Sequence, residues 1–579
     1  MGQPLPLEVF SDFDSANATV VHTNRVDKVV VKTNPDANGK TRNRTWFYFA
    51  LKHLRRGKTA HISIQNLNPQ TKLFKHNYRP VFRALPSRPK WARLPCAVAT
   101  QGSKAIDDFE ITFSFTNPAN DDDIIFFAWC FPLSYEENQT RLAHLDRIFG
   151  MRPLTSCGDE HVPKITSVEC DHLLREAAVA AAYDFLPRKA PLGIYYHREL
   201  LAKSLGGRRV ELITISGTNG MLPASRPGRR SFSNKKAFII SARVHPGEVP
   251  ASHVFDGALA LLLRESDPRA RRLRELFVFY LVPMLNPDGV ALGHYRADTL
   301  GANLNRLYGD HQPETAPSVH AVMNLVKELH SQGNLEFYID LHAHANRRGC
   351  FLYGNFLPSE KDRVETAIYA RYVAANSRHL DLEGCDFSAK NMFRRERRDG
   401  NASAGKEGSG RVGVYSATGI VHAYTLECNY NTGRYVNAIA PLPNTPFGRA
   451  AASVSPTRGT VSRARPTRYD PDTWAEVGRA LLIAVLDLLN QNPASRVGSR
   501  ERVARLAAAW VRNRERKAAL RAAKHAARAS SDGEEGDEEE DEDDNDEEED
   551  ADDAAATREI EDPVSNLARM NLTGLKARA

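Results

Sequence analysis

The segment "LEFYIDLHAHANRR" (335–348) decides the fold class, because an apolar, strand-like run ends there in two closely spaced histidines. Three other apolar runs also end in polar residues: "AFIISARVHPGE" at His245 and Glu248, "LFVFYLVPMLNPDG" at Asn286 and Asp288, and "VHAYTLECNY" at Glu427. In open α/β sheets the carboxyl ends of the strands line the ligand crevice. Four such ends therefore predict one shared site.

Helical patterns alternate with these runs between about 165 and 492. The segment "SVHAVMNLVKELHSQ" (318–332) repeats apolar residues at helical spacing, and "PDTWAEVGRALLIAVLDLLNQ" is a second clear helix that begins near Pro471. Strands that alternate with helices indicate an α/β domain, which we assign to residues 158–492.

The flanking regions follow different patterns. Residues 1–157 contain short β-branched and aromatic runs such as "KVVVKT" and "FEITFSF", and helical periodicity is absent until about 170. This predicts an antiparallel β-sandwich. In the third region, 493–579, the Arg- and Ala-rich residues 500–528 predict a basic helix, and residues 532–553 form an acidic tail that we expect to be disordered.

Charge and cysteine usage narrow the class of protein. The acidic tail holds 18 acids and no base, so removing it from the net charge of +7 leaves +25 on the remainder. A basic body indicates an acidic partner, either nucleic acid or an acidic polypeptide. The seven cysteines form no CxxC pair, which argues against a disulfide framework and favours a reducing cytosolic or nuclear compartment. No apolar run is long enough to cross a bilayer, so we expect no membrane partner.

Two histidines and a glutamate form a candidate zinc site. His245 and Glu248 lie three residues apart, and His342 follows 97 residues after His245 on another strand end. Catalytic zinc typically takes three such protein ligands plus water. An HxxE pair alone also occurs by chance, and the helix-borne HExxH pattern is missing.

Other polar residues could act on a substrate beside such a metal. Glu427 is a candidate general base, although the same residue could be an ordinary surface acid. Arg296 and Arg306 could bind a substrate carboxylate or a developing oxyanion, although loop arginines are usually just solvated.

The motifs "HPGE", "NPDG", "GANLNR", "DLHAHA" and "YTLECNYNTGR", in this order, resemble those of the cytosolic carboxypeptidases within the zinc metallocarboxypeptidase family. The segment "KEGSGRVGVYSATGIVHAYTLECNYNTGR" (406–434) is most similar to the type-5 branch, the tubulin deglutamylases. The resemblance covers about 1–492. It implies an α/β/α catalytic domain with a central mixed sheet, preceded by a β-sandwich domain.

The resemblance also implies site residues. One Zn²⁺ per chain would be held by His245, Glu248 and His342, with His344 as a neighbour rather than a ligand. By the matching motifs, Glu427 would be the general base and Arg296 would polarise the scissile carbonyl. Asn305 and Arg306 would bind the terminal carboxylate, and Arg411 would bind an acidic side chain of the terminal residue. Digestive relatives use a mobile tyrosine, but the loop 386–413 has none; Phe393 stands there, and neither Tyr415 nor Tyr424 is assigned.

The leading interpretation is a zinc-dependent carboxypeptidase that removes glutamate from acidic protein tails, with tubulin and microtubules as partners rather than nucleic acid. Basic residues would form a rim that attracts such tails, namely Arg347, Arg348, Lys390, Arg394, Arg395, Arg397 and Arg398. Two alternatives stay open: a zinc amide hydrolase for small N-acyl amino acids, and a catalytically idle protein that binds microtubules or nucleic acid.

Overall fold

The computed structural model describes residues 5–21, 27–103, 108–151, 168–223, 228–393, 405–441 and 467–531. The chain divides into two compact units after Arg512. The acidic tail, residues 442–466 and four arginines of the proposed rim lie outside the described residues, namely Arg394, Arg395, Arg397 and Arg398 for the rim. Within the described ranges, no helix is long and apolar enough to cross a membrane.

The N-terminal region is a β-sandwich. Its strands are β1 Glu8–Phe10, β2 Thr19–Val21, β3 Lys28–Lys32, β4 Tyr48–Lys52, β5 Thr59–Gln65, β6 Val81–Leu85, β7 Arg88–Arg93, β8 Ala99–Ser103, β9 Asp108–Thr116 and β10 Ile124–Ala128. One sheet has the order β1-β4-β10-β6-β7 and the other β2-β3-β5-β9-β8. Ring contacts such as Phe115 with Phe127, 4.9 Å between centroids, join the two inner faces. The expected sandwich is confirmed, with one difference: β3 and β5 pair in parallel.

Four helices accompany the sandwich and the linker that follows it: α1 Asp36–Gly39, α2 Thr71–Lys75, α3 Tyr135–Ile148 and α4 Val168–Phe185. The sequence showed no strong helical periodicity before about residue 170, yet the structure has the 14-residue helix α3 there, besides the short segments α1 and α2. The side chain of Ser134 accepts a hydrogen bond from the backbone N–H of Glu137, and Glu137 Oε2 accepts one from Ser134 N. This Ser-x-x-Glu capping box is a helix start that is visible in the sequence.

The second region holds a seven-stranded mixed sheet in the order β11-β12-β14-β13-β15-β17-β16. Its strands are β11 Ile194–Lys203, β12 Arg209–Gly217, β13 Lys236–Ala242, β14 Phe277–Val282, β15 Leu335–His344, β16 Cys350–Tyr353 and β17 His422–Asn429. The four central strands β14, β13, β15 and β17 run parallel, and the outer strands pair antiparallel. The carboxyl ends of the four central strands therefore meet at one edge.

Helices cover both faces of this sheet. They are α5 Pro250–Leu262, α6 Pro268–Leu276, α7 Pro287–Ala291, α8 Pro317–Ser331, α9 Glu360–Asn376, α10 Ala389–Phe393, α11 Gly410–Thr418, α12 Pro471–Leu488 and α13 Arg500–Ser531. Strand β13 shows how the layers form, because Phe238 and Ile240 pack toward α5, α9 and α12 while Ile239 packs toward α8. The α/β/α architecture with a central mixed sheet is confirmed.

The sandwich and the central sheet share one apolar core. The ring centroid of Trp129, which follows β10, lies 6.3 Å from that of Tyr430, which follows β17. The ring centroids of Phe131 and of Trp474 in α12 lie 5.8 Å apart. Arg93 of the sandwich donates to the carbonyl oxygens of Tyr430 and Tyr469. The N-terminal region is thus packed directly against the strand that carries Glu427.

Candidate active site

Three ligand-type side chains converge beyond the ends of β13 and β15. His245 and Glu248 lie in the turn between β13 and α5, and His342 lies in β15. One ligand atom from each residue falls within 4.8 Å of the others, and all three residues are buried. Because β13 and β15 pair in parallel up to Ala242 and Leu341, the sheet register brings this turn next to His342.

The hydrogen bonds around the imidazoles orient their ligand atoms. Glu248 Oε1 lies 2.8 Å from His245 Nδ1, and Glu248 Oε2 lies 2.9 Å from His342 Nδ1. On the far sides of the rings, His342 Nε2 lies 2.8 Å from Asp340 Oδ2 and His245 Nε2 lies 3.0 Å from Asn303 Oδ1. With a metal ion bound between the rings, these acceptors would hold a proton on each Nε2 and leave both Nδ1 atoms, which face Glu248, as metal ligands.

The charges of this cluster favour a cation. Burial lowers the pKa of an imidazole, but Asp340 and Glu248 outweigh it and raise the pKa of His342 well above its usual value. Burial likewise opposes ionisation of Glu248, yet the two imidazoles hold the pKa of this carboxyl well below its usual range. The field that favours a proton on His342 also favours a metal ion there. Two imidazole nitrogens and one carboxylate are a donor set that suits zinc.

Glu427 lies directly opposite His342 on the neighbouring parallel strand β17. Its Oε2 atom is buried and has no hydrogen-bond partner among the described residues. Burial, together with the charge of Glu248, raises the pKa of Glu427 to about 7. An unpaired buried carboxylate oxygen is costly unless a ligand uses it. Glu427 is therefore placed and perturbed as a general base would be.

Arg296, Asn305 and Arg306 lie on the connection between α7 and α8, the last two in the short 3-10 turn Leu304–Arg306. The charge of Arg296 acts on both His245 and Glu427, which shows that its guanidinium lies at the cluster. Asn305 Oδ1 accepts from the N–H of Gly410 at 2.9 Å, and Arg306 Nη1 donates to the carbonyl oxygen of Asn305 at 2.8 Å. The structure therefore brings these three residues to the same sheet edge as the metal ligands.

Arg411 lies in the first turn of α11 and is buried. Its Nε donates to Gly354 O at 3.1 Å and its Nη2 to Asn391 Oδ1 at 2.8 Å. Burial lowers its pKa to about 10, so the group stays charged at neutral pH. The charges of Glu427 and Arg306 both act on Arg411, which places it beside the candidate base and the carboxylate-binding pair.

The fourth strand end does not join this site. Asn286 Oδ1 accepts the N–H of Gly289 at 2.9 Å and caps α7. Asp288 forms an ion pair with Arg208 at 3.0 Å and accepts the N–H of Gly206 at 2.8 Å. The idea that all four strand ends share one site was therefore wrong for β14, whose polar residues have partners within the fold.

Other residues considered in the sequence have structural contacts. His344 Nδ1 accepts the N–H of Arg347, and Arg347 donates to the Tyr353 hydroxyl at 3.3 Å. The hydroxyl of Tyr424 lies 3.0 Å from His422 Nδ1 in the core. Phe393 is 58% exposed at the end of α10.

Three residues near the site did not emerge from the sequence: Asp340, Asn303 and Tyr353. Asp340 precedes His342 by two positions, so both lie on one face of β15, and this spacing could have indicated the contact. Tyr353 lies close enough to Glu427 for that charge to contribute, after burial, to a pKa of about 12. The guanidinium of Arg411 lies 5.6 Å from the centroid of the Tyr353 ring.

A central mixed sheet that presents a His-Glu-His set at one edge, beside a glutamate with an unpaired buried oxygen, defines the class of zinc carboxypeptidases. The family model "Zinc carboxypeptidase" matches residues 195–436, and the model "Cytosolic carboxypeptidase N-terminal domain" matches residues 9–129. A metallo-carboxypeptidase from Burkholderia cenocepacia has a similar fold, with a TM-score of 0.54 at 21% identity over 84% of this chain and 99% of that structure.

The chain belongs to the cytosolic carboxypeptidases. It is 30% identical to cytosolic carboxypeptidase 6 of Caenorhabditis elegans over 74% of this chain and 80% of that protein. It is 36% identical to cytosolic carboxypeptidase-like protein 5 of Mus musculus over 79% of this chain. The chain spans 57% of the length of the mouse protein, less than two thirds of it.

Proposed function

We propose that this chain is a zinc-dependent carboxypeptidase that removes glutamate from acidic protein tails, with the tails of tubulin as the main substrate. The proposal includes the branch-point glutamate, which is joined through a side-chain carboxyl. It places the protein in the cytoplasm, with microtubules as its partner. The observation that carries the proposal is the buried guanidinium of Arg411 within electrostatic range of Glu427, which itself lies opposite the candidate ligand His342.

Substrate binding follows from the positive groups around this site. Arg411 pairs its Nη1 with the side-chain carboxylate of a terminal glutamate, since a buried guanidinium is a strong and selective partner for that group. Asn305 and Arg306 bind the terminal α-carboxylate. The exposed Lys390 and the half-buried Arg348 add positive charge that raises the encounter rate with acidic tails.

Hydrolysis uses Glu427 and Arg296. Glu427 accepts a proton from a water molecule while the oxygen of that water attacks the scissile carbonyl carbon. Glu427 later delivers the proton to the leaving nitrogen as the C–N bond breaks. The guanidinium of Arg296 stabilises the negative charge that develops on the carbonyl oxygen. His245, Glu248 and His342 would hold a zinc ion, which would supply Lewis-acid chemistry at the scissile carbonyl.

The test is release of free glutamate from a peptide that ends in glutamate, with and without a chelator. We expect release by the wild-type chain, loss of release in the chelator, and recovery on adding zinc. A matched peptide that ends in alanine should be a poor substrate. Hydrolysis of small N-acyl amino acids but not of peptides would favour the amide hydrolase, and no hydrolysis of either would favour an idle binding protein.

A second experiment addresses the substrate and the linkage. Mass spectrometry of tubulin before and after treatment should show loss of glutamate units from the tails. Matched peptides in which the last glutamate is joined through an α-carboxyl or a γ-carboxyl separate linear from branch-point activity. The Glu427→Gln variant serves as the control for contaminating proteases.

A further inference from the structure

The loop that carries Arg296 is bound by a carboxylate from the N-terminal sandwich. The backbone N–H groups of Tyr295 and Arg296 each donate to Asp36 at 2.7 Å, and that of Ala297 donates at 2.9 Å. Asp36 is fully buried. Three successive N–H groups that converge on one anion form a strong, directional binding site, because hydrogen bonds to a charged acceptor are shorter and stronger than neutral ones.

A second contact joins the turn at Asp36 to the loop of Arg296, and here the turn donates the hydrogen bond and the loop accepts it. The N–H of Ala37 donates to His294 Nε2 at 3.2 Å, and His294 Nδ1 lies 3.0 Å from the carbonyl oxygen of Ala297. Ala37 has a φ of +52°, which residues with a Cβ adopt rarely. The turn after Asp36 is thus held in an uncommon conformation that faces the Arg296 loop.

Close backbone approach restricts the start of the loop. Gly293 has a φ of +67°, and a Cβ added there would lie 2.4 Å from the carbonyl oxygen of Ala16. Asn17 Nδ2 donates to the carbonyl oxygen of Gly293 at 2.9 Å. The loop therefore cannot move away from the sandwich without losing several buried hydrogen bonds.

The other side of the loop contacts the turn that carries two of the metal ligands. Gly247, which lies between His245 and Glu248, donates its N–H to the carbonyl oxygen of Tyr295 at 2.8 Å. A single residue of the loop, Tyr295, thus bonds to Asp36 through its N–H and to the ligand turn through its carbonyl. Along this path only Tyr295 separates Asp36 from the turn that carries His245 and Glu248.

We propose that Asp36 is a positioning residue, which fixes the loop backbone so that the Arg296 guanidinium meets the scissile carbonyl oxygen. This inference rests on the proposed function, because Arg296 needs a substrate on which to act. It also gives the N-terminal sandwich a part in the reaction beyond stabilising the fold. A displacement of about 1 Å at a catalytic group can reduce the rate by about 100-fold.

The first test is the Asp36→Asn variant of the full chain. Asparagine has nearly the same shape, but its NH₂ group would face an N–H donor of the loop and weaken the binding site. We expect kcat to fall by about 10- to 100-fold with a much smaller change in KM, and zinc content to stay at the wild-type level.

A matched control separates positioning from general loss of stability. Asp123 is another buried aspartate of the sandwich, and its Oδ2 accepts the N–H of Asn120 at 3.1 Å. Asp123→Asn should lower the melting temperature without a comparable fall in kcat. If the loss of kcat in each variant is proportional to the fall in its melting temperature, Asp36 has only a structural role and the inference is overturned.

The decisive readout is a double-mutant cycle with Arg296→Ala. If Asp36 acts through Arg296, Asp36→Asn should change kcat by less than about 2-fold in the Arg296→Ala background. If Asp36→Asn instead lowers kcat by the same factor in both backgrounds, the two residues act independently and the inference is overturned. Should Asp36→Asn fail to fold, His294→Gln removes the neighbouring contact, and its smaller loss of kcat should likewise vanish in that background.

The two proposals fail in different ways. A wild-type chain that releases no glutamate overturns the proposed function and this inference with it. An active wild-type chain whose Asp36→Asn and His294→Gln variants keep full kcat overturns only the role of Asp36.

Discussion

Strands β13 and β14 are neighbours in the central sheet and end in similar polar sequences, yet their ends have different partners. After β13, both oxygens of Glu248 face imidazole nitrogens, which can exchange protons for a metal ion. After β14, Asp288 faces the guanidinium of Arg208 and the N–H of Gly206. A permanent cation within the chain already neutralises Asp288. The comparison teaches that the partner of a buried carboxylate, rather than its place at a strand end, decides whether it can serve a ligand.

Removing the candidate metal ligand in β15 should have the largest effect. His342→Ala should lose both zinc and turnover, because one of the two imidazole ligands disappears and Glu248 loses a neighbour. Metal analysis combined with glutamate release is the measurement. His344→Ala is the matched control and should keep its zinc. Loss of zinc in His344→Ala but not in His342→Ala would mean that the wrong histidine of the pair has been assigned.

Glu427→Gln should separate metal binding from catalysis. The variant keeps the shape of the side chain and all three candidate ligands, but it removes the proton acceptor. We expect full zinc content with kcat reduced by about 10²–10⁴-fold. Near-normal turnover would remove Glu427 from the role of general base.

Arg411→Gln should change selectivity more than turnover. Losing one hydrogen bond to a charged group costs about 1.5–3 kcal/mol, which corresponds to a fall of about 10- to 100-fold in kcat/KM for a peptide that ends in glutamate. The same variant should lose much less on a peptide that ends in alanine. An equal loss on both peptides would indicate that Arg411 only supports the fold through Gly354 and Asn391.

Asp288→Asn should have the smallest effect on turnover, because this residue lies at the strand end without a ligand. Breaking its buried ion pair with Arg208 should lower the free energy of unfolding by about 3–5 kcal/mol. Urea unfolding and metal analysis measure the two quantities. Loss of zinc in a variant that still folds would show that the end of β14 contributes to the metal site at the end of β13.

Local patterns in the sequence predicted most of the elements and the candidate metal ligands. Apolar runs such as β13 and β15 are visible because a buried parallel strand needs apolar residues on both faces. The polar residues that follow them were visible as motifs, and the order of these motifs led to the family. Helix α3 was missed although its capping box, Ser134 with Glu137, lies in the sequence.

Only the tertiary structure decided which polar residues meet. Asp288 and Arg208 are 80 positions apart. Asp36 lies about 260 positions before Arg296 and Ala297, from whose backbone N–H groups it accepts hydrogen bonds. No periodicity links such distant residues, because their contact depends on how sheets and loops pack rather than on local backbone geometry. The sequence by itself therefore determined the strands, the zinc-type ligands and the family. The packing of the sandwich against the central sheet decided that Asp288 closes a structural ion pair and that Asp36 holds the loop of Arg296.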